Sequence, residues 1–234
     1  VSGLDIYPAA RGVRLVHIFL EAPSAFLQLG RGEGETNAVV EQIRHLLEGV
    51  SDFSRSRRSH PVPPLYQDFA DPVPVLVSKI YAGGWGFDVP HTVPGRGRLE
   101  LLWQTMPGET LEDIDREFKT WLEERIAAAP ELFAVPPRLE FPMRWMPGTQ
   151  MAADHELVTT LRECVQQVTD HKPQVAGAPY PCDLWALQRT FHIPAVVFGT
   201  GGGNAHTADE YVNLDETFDF VKSLLLFITT WCGV

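Results

Sequence analysis

Residues 96–126, RGRLELLWQTMPGETLEDIDREFKTWLEERI, change period once, and that change narrows the possible folds. In RGRLELLWQ, Leu99, Leu101 and Trp103 alternate with Arg98, Glu100, Leu102 and Gln104, which predicts a strand with one buried face. Thr110 is the expected cap of a long helix, with Glu112 and Asp113 well placed in its first turn. Leu111, Ile114, Phe118, Trp121, Leu122 and Ile126 form its apolar stripe. The same signals recur on either side. GVRLVHIFLEA (12–22) and PVLVSKIYAGG (74–84) read as strands, and Asn37 as the cap of a helix carrying Val39, Val40, Ile43, Leu46 and Leu47. RLEFPMRW (138–145) reads as a fourth strand, with Leu139, Phe141, Met143 and Trp145 opposite Arg138, Glu140 and Arg144. The order β-α-β-β-α-β is the split βαβ arrangement of a ferredoxin-like α+β module, expected over residues 10–148.

MPGTQMAADH (146–155) reads as the hinge out of that module. Beyond it, Leu157, Leu161, Val165 and Val168 predict a helix, VAGAPYP a short strand or loop, and CDLWALQRTFH another helix. AVVFG (195–199) has the all-apolar composition of a buried parallel strand, and a last helix is expected from Asp215 to Cys232. This second part, 149–234, is α/β but supplies too few strands for a complete parallel sheet. It reads as a portion of a domain.

Composition excludes several function classes. The net charge of −11 argues against nucleic acid as a partner. The densest cationic stretch, Arg55, Arg57 and Arg58, falls within a polar, proline-rich segment (54–72) that reads as a solvated loop. The apolar C-terminal run is about 15 residues long and contains Lys222, whereas a membrane span needs about 20. No membrane partner is expected. Cys164, Cys182 and Cys232 form no CxxC pair, and no secretory leader opens the sequence; both point to the cytoplasm.

The motif that carries chemistry is GTGGGNAHTADE (199–210). It lacks the lysine of a phosphate loop, and Asn204 stands where a dinucleotide fingerprint needs its third glycine. A turn whose histidine caps the next helix would fit. So would a metal ligand, although the eight histidines form no HExxH, HxH or HxD pair.

HIPAVVFGTGGGNAHTADEYVNLDE (192–216) resembles the closing motif of the zinc-dependent deacylases and exopeptidases that include acetylornithine deacetylase, succinyl-diaminopimelate desuccinylase, aminoacylase and glutamate carboxypeptidase. Gly199-Thr200-Gly201 stands where that family often has Gly-Pro-Gly, and Asp183 lies 23 residues before His206, a similar spacing. NAVVEQI and VPGRGRLELLWQTMPGET resemble the family's inserted lid, itself a βαββαβ dimerisation module.

The resemblance implies roles residue by residue. His206 matches the C-terminal metal ligand, with a second partner expected to fix its tautomer. The N–H groups around Gly201 and Gly202 match a cradle for the substrate's carboxylate, and Arg144 matches a carboxylate-binding arginine. Asp183 and Glu210 are expected to support the site, and His91 to act as a polar donor to substrate. The implied cofactor is zinc, as two ions in the complete enzyme, with cobalt or manganese as alternatives. The implied substrate is an N-acyl amino acid or small peptide with a free carboxylate. The implied assembly is a homodimer through the lid.

The pattern also has gaps. The family's HxD and Glu-Glu segments, which hold the other ligands and the general base, have no counterpart here, so no catalytic residue is assigned on this chain. Ala25-Phe26-Leu27-Gln28 stands where relatives carry A-H-x-G, and His91, or Asp88 in another alignment, where they often carry Asn. The sequence therefore predicts either a partial active site, completed by a separate N-terminal catalytic half, or an inactive member that serves for dimerisation or ligand binding.

Overall fold

The computed structural model describes residues 2–24, 38–84 and 92–233. Asn37, Phe26, Asp88 and His91 lie outside these residues.

One long strand organises the molecule. β1 (Ile6–Glu21) runs through both parts and pairs with a different set of strands along each half. Gly12–Glu21 lies antiparallel to β3 (Arg96–Thr105), which in turn pairs antiparallel with β2 (Val75–Ala82). On the other side of β1, His17–Phe19 pairs antiparallel with β4 (Arg138–Glu140). Ile6–Arg11 instead runs parallel to β6 (Val175–Pro181), while Ala9 and Ala10 pair with β5 (Thr149–Gln150). The predicted boundary at residue 10 thus falls inside a continuous strand.

Gly12 stands where β1 passes from one set of partners to the other. A Cβ there would come within 2.3 Å of Thr105 Oγ1 and 2.4 Å of the Gly148 nitrogen, so only glycine admits this crossing of backbones.

In the first part, α1 (Ala38–Arg58) and α2 (Leu111–Ala127) cover one face of the strand order β2-β3-β1-β4. Val16, Ile18 and Leu20 of β1 and Leu99, Leu101 and Trp103 of β3 point into one core with Val39, Ile43, Leu46 and Phe53 of α1 and Ile114, Phe118 and Trp121 of α2. The alternation read in 99–103 is the reason: period two puts those three side chains on the helix side. Thr110 caps α2 as expected, accepting the Asp113 N–H.

In the second part, α3 (Glu156–Val168) packs with α4 (Leu214–Cys232) over Leu4 and Ile6, using Val158, Leu161 and Val165. Phe220 and Phe227 are the α4 side chains turned toward that core.

Four expectations are corrected. The segment bearing Arg55, Arg57 and Arg58 is the last turn of α1, not a loop, because Arg57 is drawn inward. It is 1% exposed and held by Glu109 and Glu117. AVVFG forms no parallel strand: Val197 makes a single antiparallel bridge with Tyr7. The fourth strand pairs only over Arg138–Glu140 before Pro142. CDLWALQRTFH winds wide, as a π-helical turn at Ala186–Thr190. There the Gln188 amide is taken by Thr149 and by the carbonyls of Pro8 and Ala195.

Two charged groups are built into the first part. Both terminal nitrogens of Arg57 donate to Glu109, at 2.6 and 2.8 Å, and one also reaches Glu117 at 2.8 Å. On the sheet face away from the helices, Glu100 accepts from His17 at 2.7 Å, Ser78 at 2.8 Å and Lys79 at 2.9 Å. Burial alone would raise this carboxyl. The hydrogen bonds from Lys79, Ser78 and His17 outweigh that and hold it at about 2, against an ordinary 4.5.

Removing one member of the Arg57 group strands the others. Arg57→Ala is expected to cost about 3 kcal/mol by urea unfolding, with part recovered when Glu117→Gln is added. Because its folded pKa is depressed, Glu100 contributes stability that is complete above about pH 4.5 and is lost as the pH falls through about 2. Glu100→Gln should be less stable at neutral pH and nearly flat across that window, as acid titration of the unfolding midpoint will show.

Candidate functional site

The glycine-rich motif forms a hairpin. β7 (Gly202–Gly203) pairs antiparallel with β8 (Tyr211–Val212), opposing Gly202 to Val212 and Gly203 to Tyr211. Residues 204–210 turn between them, and His206 lies exposed in that turn. Three of its residues adopt left-handed backbone: Asn204 (φ 57°), His206 (φ 63°) and Asp209 (φ 60°). Asparagine, histidine and aspartate tolerate this region better than most side chains, yet each still stores strain. The turn is held internally: the Asn204 carbonyl accepts the Thr207 N–H at 3.0 Å and its hydroxyl at 2.9 Å, while Asn204 Nδ2 donates to the Asp209 carbonyl at 3.2 Å.

The glycines are demanded by contact. A Cβ on Gly202 would sit 2.2 Å from the Tyr211 carbonyl oxygen, one on Gly203 2.7 Å from the Tyr211 ring, and one on Gly201 2.5 Å from Glu216 Oε2. The run lets the hairpin close on Tyr211 and on the first turn of α4.

That first turn supplies residues that the sequence reading missed. Asn213 caps α4, its Oδ1 accepting the N–H groups of Asp215 at 3.0 Å and Glu216 at 3.3 Å. Glu216 Oε2 accepts the Gly201 N–H at 2.6 Å, and the Gly201 carbonyl accepts the Asn213 N–H at 2.9 Å. The N-x-x-E spacing of a capping box was visible in NLDE. The N–H of Gly201 expected to receive a substrate carboxylate therefore already holds one from the chain itself.

The remaining predicted residues sit apart from the hairpin's hydrogen bonds. Arg144 is exposed beyond β4, its guanidinium 4.7 Å from the ring centre of Trp185. Asp183 is exposed two residues before that tryptophan, its carbonyl accepting the Ala186 N–H. The structure thus joins the Arg144 and Asp183 segments through Trp185. Glu210 is exposed at the end of the His206 turn, and His91 lies outside the described residues.

Zinc needs three or four ligands, and a histidine imidazole is one that suits it. Among the described residues, the one trio close enough to share an ion is His60, Glu109 and Glu117, between the helices of the first part rather than at the hairpin. It borders a cavity of about 850 Å³. Both carboxylates there are already hydrogen-bonded to Arg57, and a divalent ion would meet that cation. The residues present around His206 do not by themselves make a zinc site.

α4 carries a second feature of this region. Leu214, Phe218, Val221, Leu225 and Ile228 alternate at spacings of four and three, and all are 46–68% exposed. The hairpin continues the apolar surface through Tyr211 and Val212. No helix among the described residues is long and apolar enough to cross a membrane.

The fold has known counterparts. A dipeptidase, Dug1p from Saccharomyces cerevisiae, superposes with a TM-score of 0.75 at 10% identity, over 99% of this chain and 57% of its own. The M20 family metallo-carboxypeptidase Sso-CP2 from Sulfolobus solfataricus gives 0.65 at 14% identity, over 98% and 60%. Human carnosine dipeptidase 1 gives 0.63 at 10% identity, over 97% and 56%. This chain thus shares the fold of these three proteins, and it spans little more than half the length of each. The sequence pattern of Peptidase family M20/M25/M40 matches residues 14–230, and the chain belongs to that family. No curated protein matches it in sequence.

The hairpin geometry gives a direct check. Gly202→Ala should push Tyr211 away and destabilise the second part by about 1–3 kcal/mol. Loss of amide protection at 201–212, with β1–β3 pairing retained, is the expected hydrogen-exchange result.

Proposed function

We propose that this chain is the lid and the C-terminal portion of the catalytic domain of a metal-dependent amide hydrolase. Its substrates are N-acyl amino acids or small peptides with a free carboxylate, and His206 is the one metal ligand it carries. In this reading residues 10–148 form a ferredoxin-like lid, supported by the antiparallel order β2-β3-β1-β4 with two helices on one face, and residues 149–234 belong to the catalytic domain. The metal is zinc, two ions in the assembled site, with cobalt or manganese able to replace it. Arg144 holds the substrate carboxylate and Asp183 and Glu210 support the site. Cys164, Cys182 and Cys232 are free thiols, in keeping with the cytoplasm. Among the described residues β2 pairs with β3 alone, and its other edge would serve a lid-mediated homodimer.

One observation carries this reading: among the described residues no group able to share an ion includes His206, and the apolar face of α4 is left exposed. A ligand cannot hold zinc alone, and five half-exposed apolar side chains in a row are a face built to be covered. The remaining portion of an M20 catalytic domain fits both vacancies.

A second reading, an inactive member used for dimerisation or ligand binding, draws on Phe26 in the lid and on the Gly201 N–H already occupied by Glu216.

Reconstitution separates them. The purified chain should hold no stoichiometric zinc through His206. Supplying the complementary catalytic portion in trans should restore zinc binding, measured by metal analysis after gel filtration, and hydrolysis of an N-acyl amino acid. His206→Ala should abolish both. Tight zinc binding by the chain alone that disappears in His206→Ala would overturn the partial-site reading, and a complex that loads zinc without hydrolysing any such substrate would favour the inactive member.

A further inference from the structure

We infer that Glu216 is a positioning residue that fixes the turn carrying His206. The role in metal binding rests on the reading of His206 above; the clamp itself does not.

Three non-glycine residues with φ near +60° are uncommon in a single seven-residue connection, and such a turn persists only when its ends are over-determined. The hairpin is too short to do this alone, since β7 and β8 contribute two residues each. The constraint comes from the base. In an ordinary capping box, the glutamate at the third helical position reaches back to the N–H of its own cap residue. Here the Asn213 N–H is spent on the Gly201 carbonyl at 2.9 Å, and Glu216 passes over its own cap to take the Gly201 N–H at 2.6 Å. Its other oxygen accepts from Asn213 Nδ2 at 3.0 Å.

One carboxylate therefore ties the strand entering the turn to the helix leaving it. The tie is charge-assisted, and such bonds are about twice as strong as neutral ones. Phe220, one helical turn further along α4, is packed in the core against Phe198, so the carboxylate is anchored to the body of the second part. His206 is thereby referred to a rigid helix although its turn projects into solvent. The close approach at Gly201, where a Cβ would meet Glu216 Oε2 at 2.5 Å, accounts for the first glycine of the GGG run as part of this clamp.

Amide exchange and histidine NMR on the metal-free chain test the clamp. Glu216→Ala should speed exchange at 201–212 by about tenfold, the equivalent of one lost charged hydrogen bond. It should also broaden or double the His206 ring resonance, leaving the His45 and His155 resonances and the amides of α3 and the lid unchanged. Glu216→Gln, which keeps an acceptor without charge, should rescue most of the protection and restore a single His206 resonance. Unchanged exchange at Gly201 in Glu216→Ala would overturn the inference. So would a loss spread equally over α3 and β6, because a clamp on the turn leaves those amides alone. So would a His206 resonance that does not respond. The readout requires no zinc, so failure of the metal-hydrolase reading would leave these outcomes distinguishable.

Discussion

Everything in this molecule depends on the backbone contact at Gly12. The strand that forms the centre of the first part continues through it as the strand on which the second part is built. Thr105, Met146 and Gly148 converge on that glycine, so strand, connecting segment and exit from the first part meet where no side chain fits. The two parts therefore share a hydrogen-bonded spine, and the orientation of α3 and α4 is set by the same strand that carries the aromatic core around Trp103.

Charge is handled differently on each side of that spine. In the first part it is drawn inward and satisfied: Arg57 between two carboxylates, and Glu100 beneath His17, Ser78 and Lys79. In the second part the charged and polar groups of the motif stay at the surface, and its closest contacts are made by glycine backbone and by the first turn of α4. A scaffold with a settled interior thus bears a site whose groups remain exposed.

What the sequence revealed follows from which signals are local. Period two in 99–103 and the Thr110 cap are local, and both elements appear where those residues demand. Residues 6–11 were unreadable as strand because their partners, β5 and β6, lie far along the chain. SRSRR looked like a loop because Arg57 is buried by glutamates about 50 and 60 residues away. AVVFG looked like a central strand because apolar composition does not say whether a ladder forms. At the candidate site, the glycine run announced a turn, and the structure places His206 in it. Glu216 was not legible, because its spacing announces an ordinary capping box and only the fold brings Gly201 within reach.

The shared strand has a consequence for biogenesis. Ile6 pairs with Val175, and Tyr7 with Val197, so the opening half of β1 finds its partners about 170–190 residues later. At ordinary rates of synthesis that delay is on the order of ten to thirty seconds. Throughout it, the other half of the same strand can already pair with β3 and β4, while Ile6, Ala9 and Ala10 wait for β5 and β6. A nascent chain of this design can complete its first part early and stays vulnerable to wrong pairing at the spine until β6 and Val197 are made.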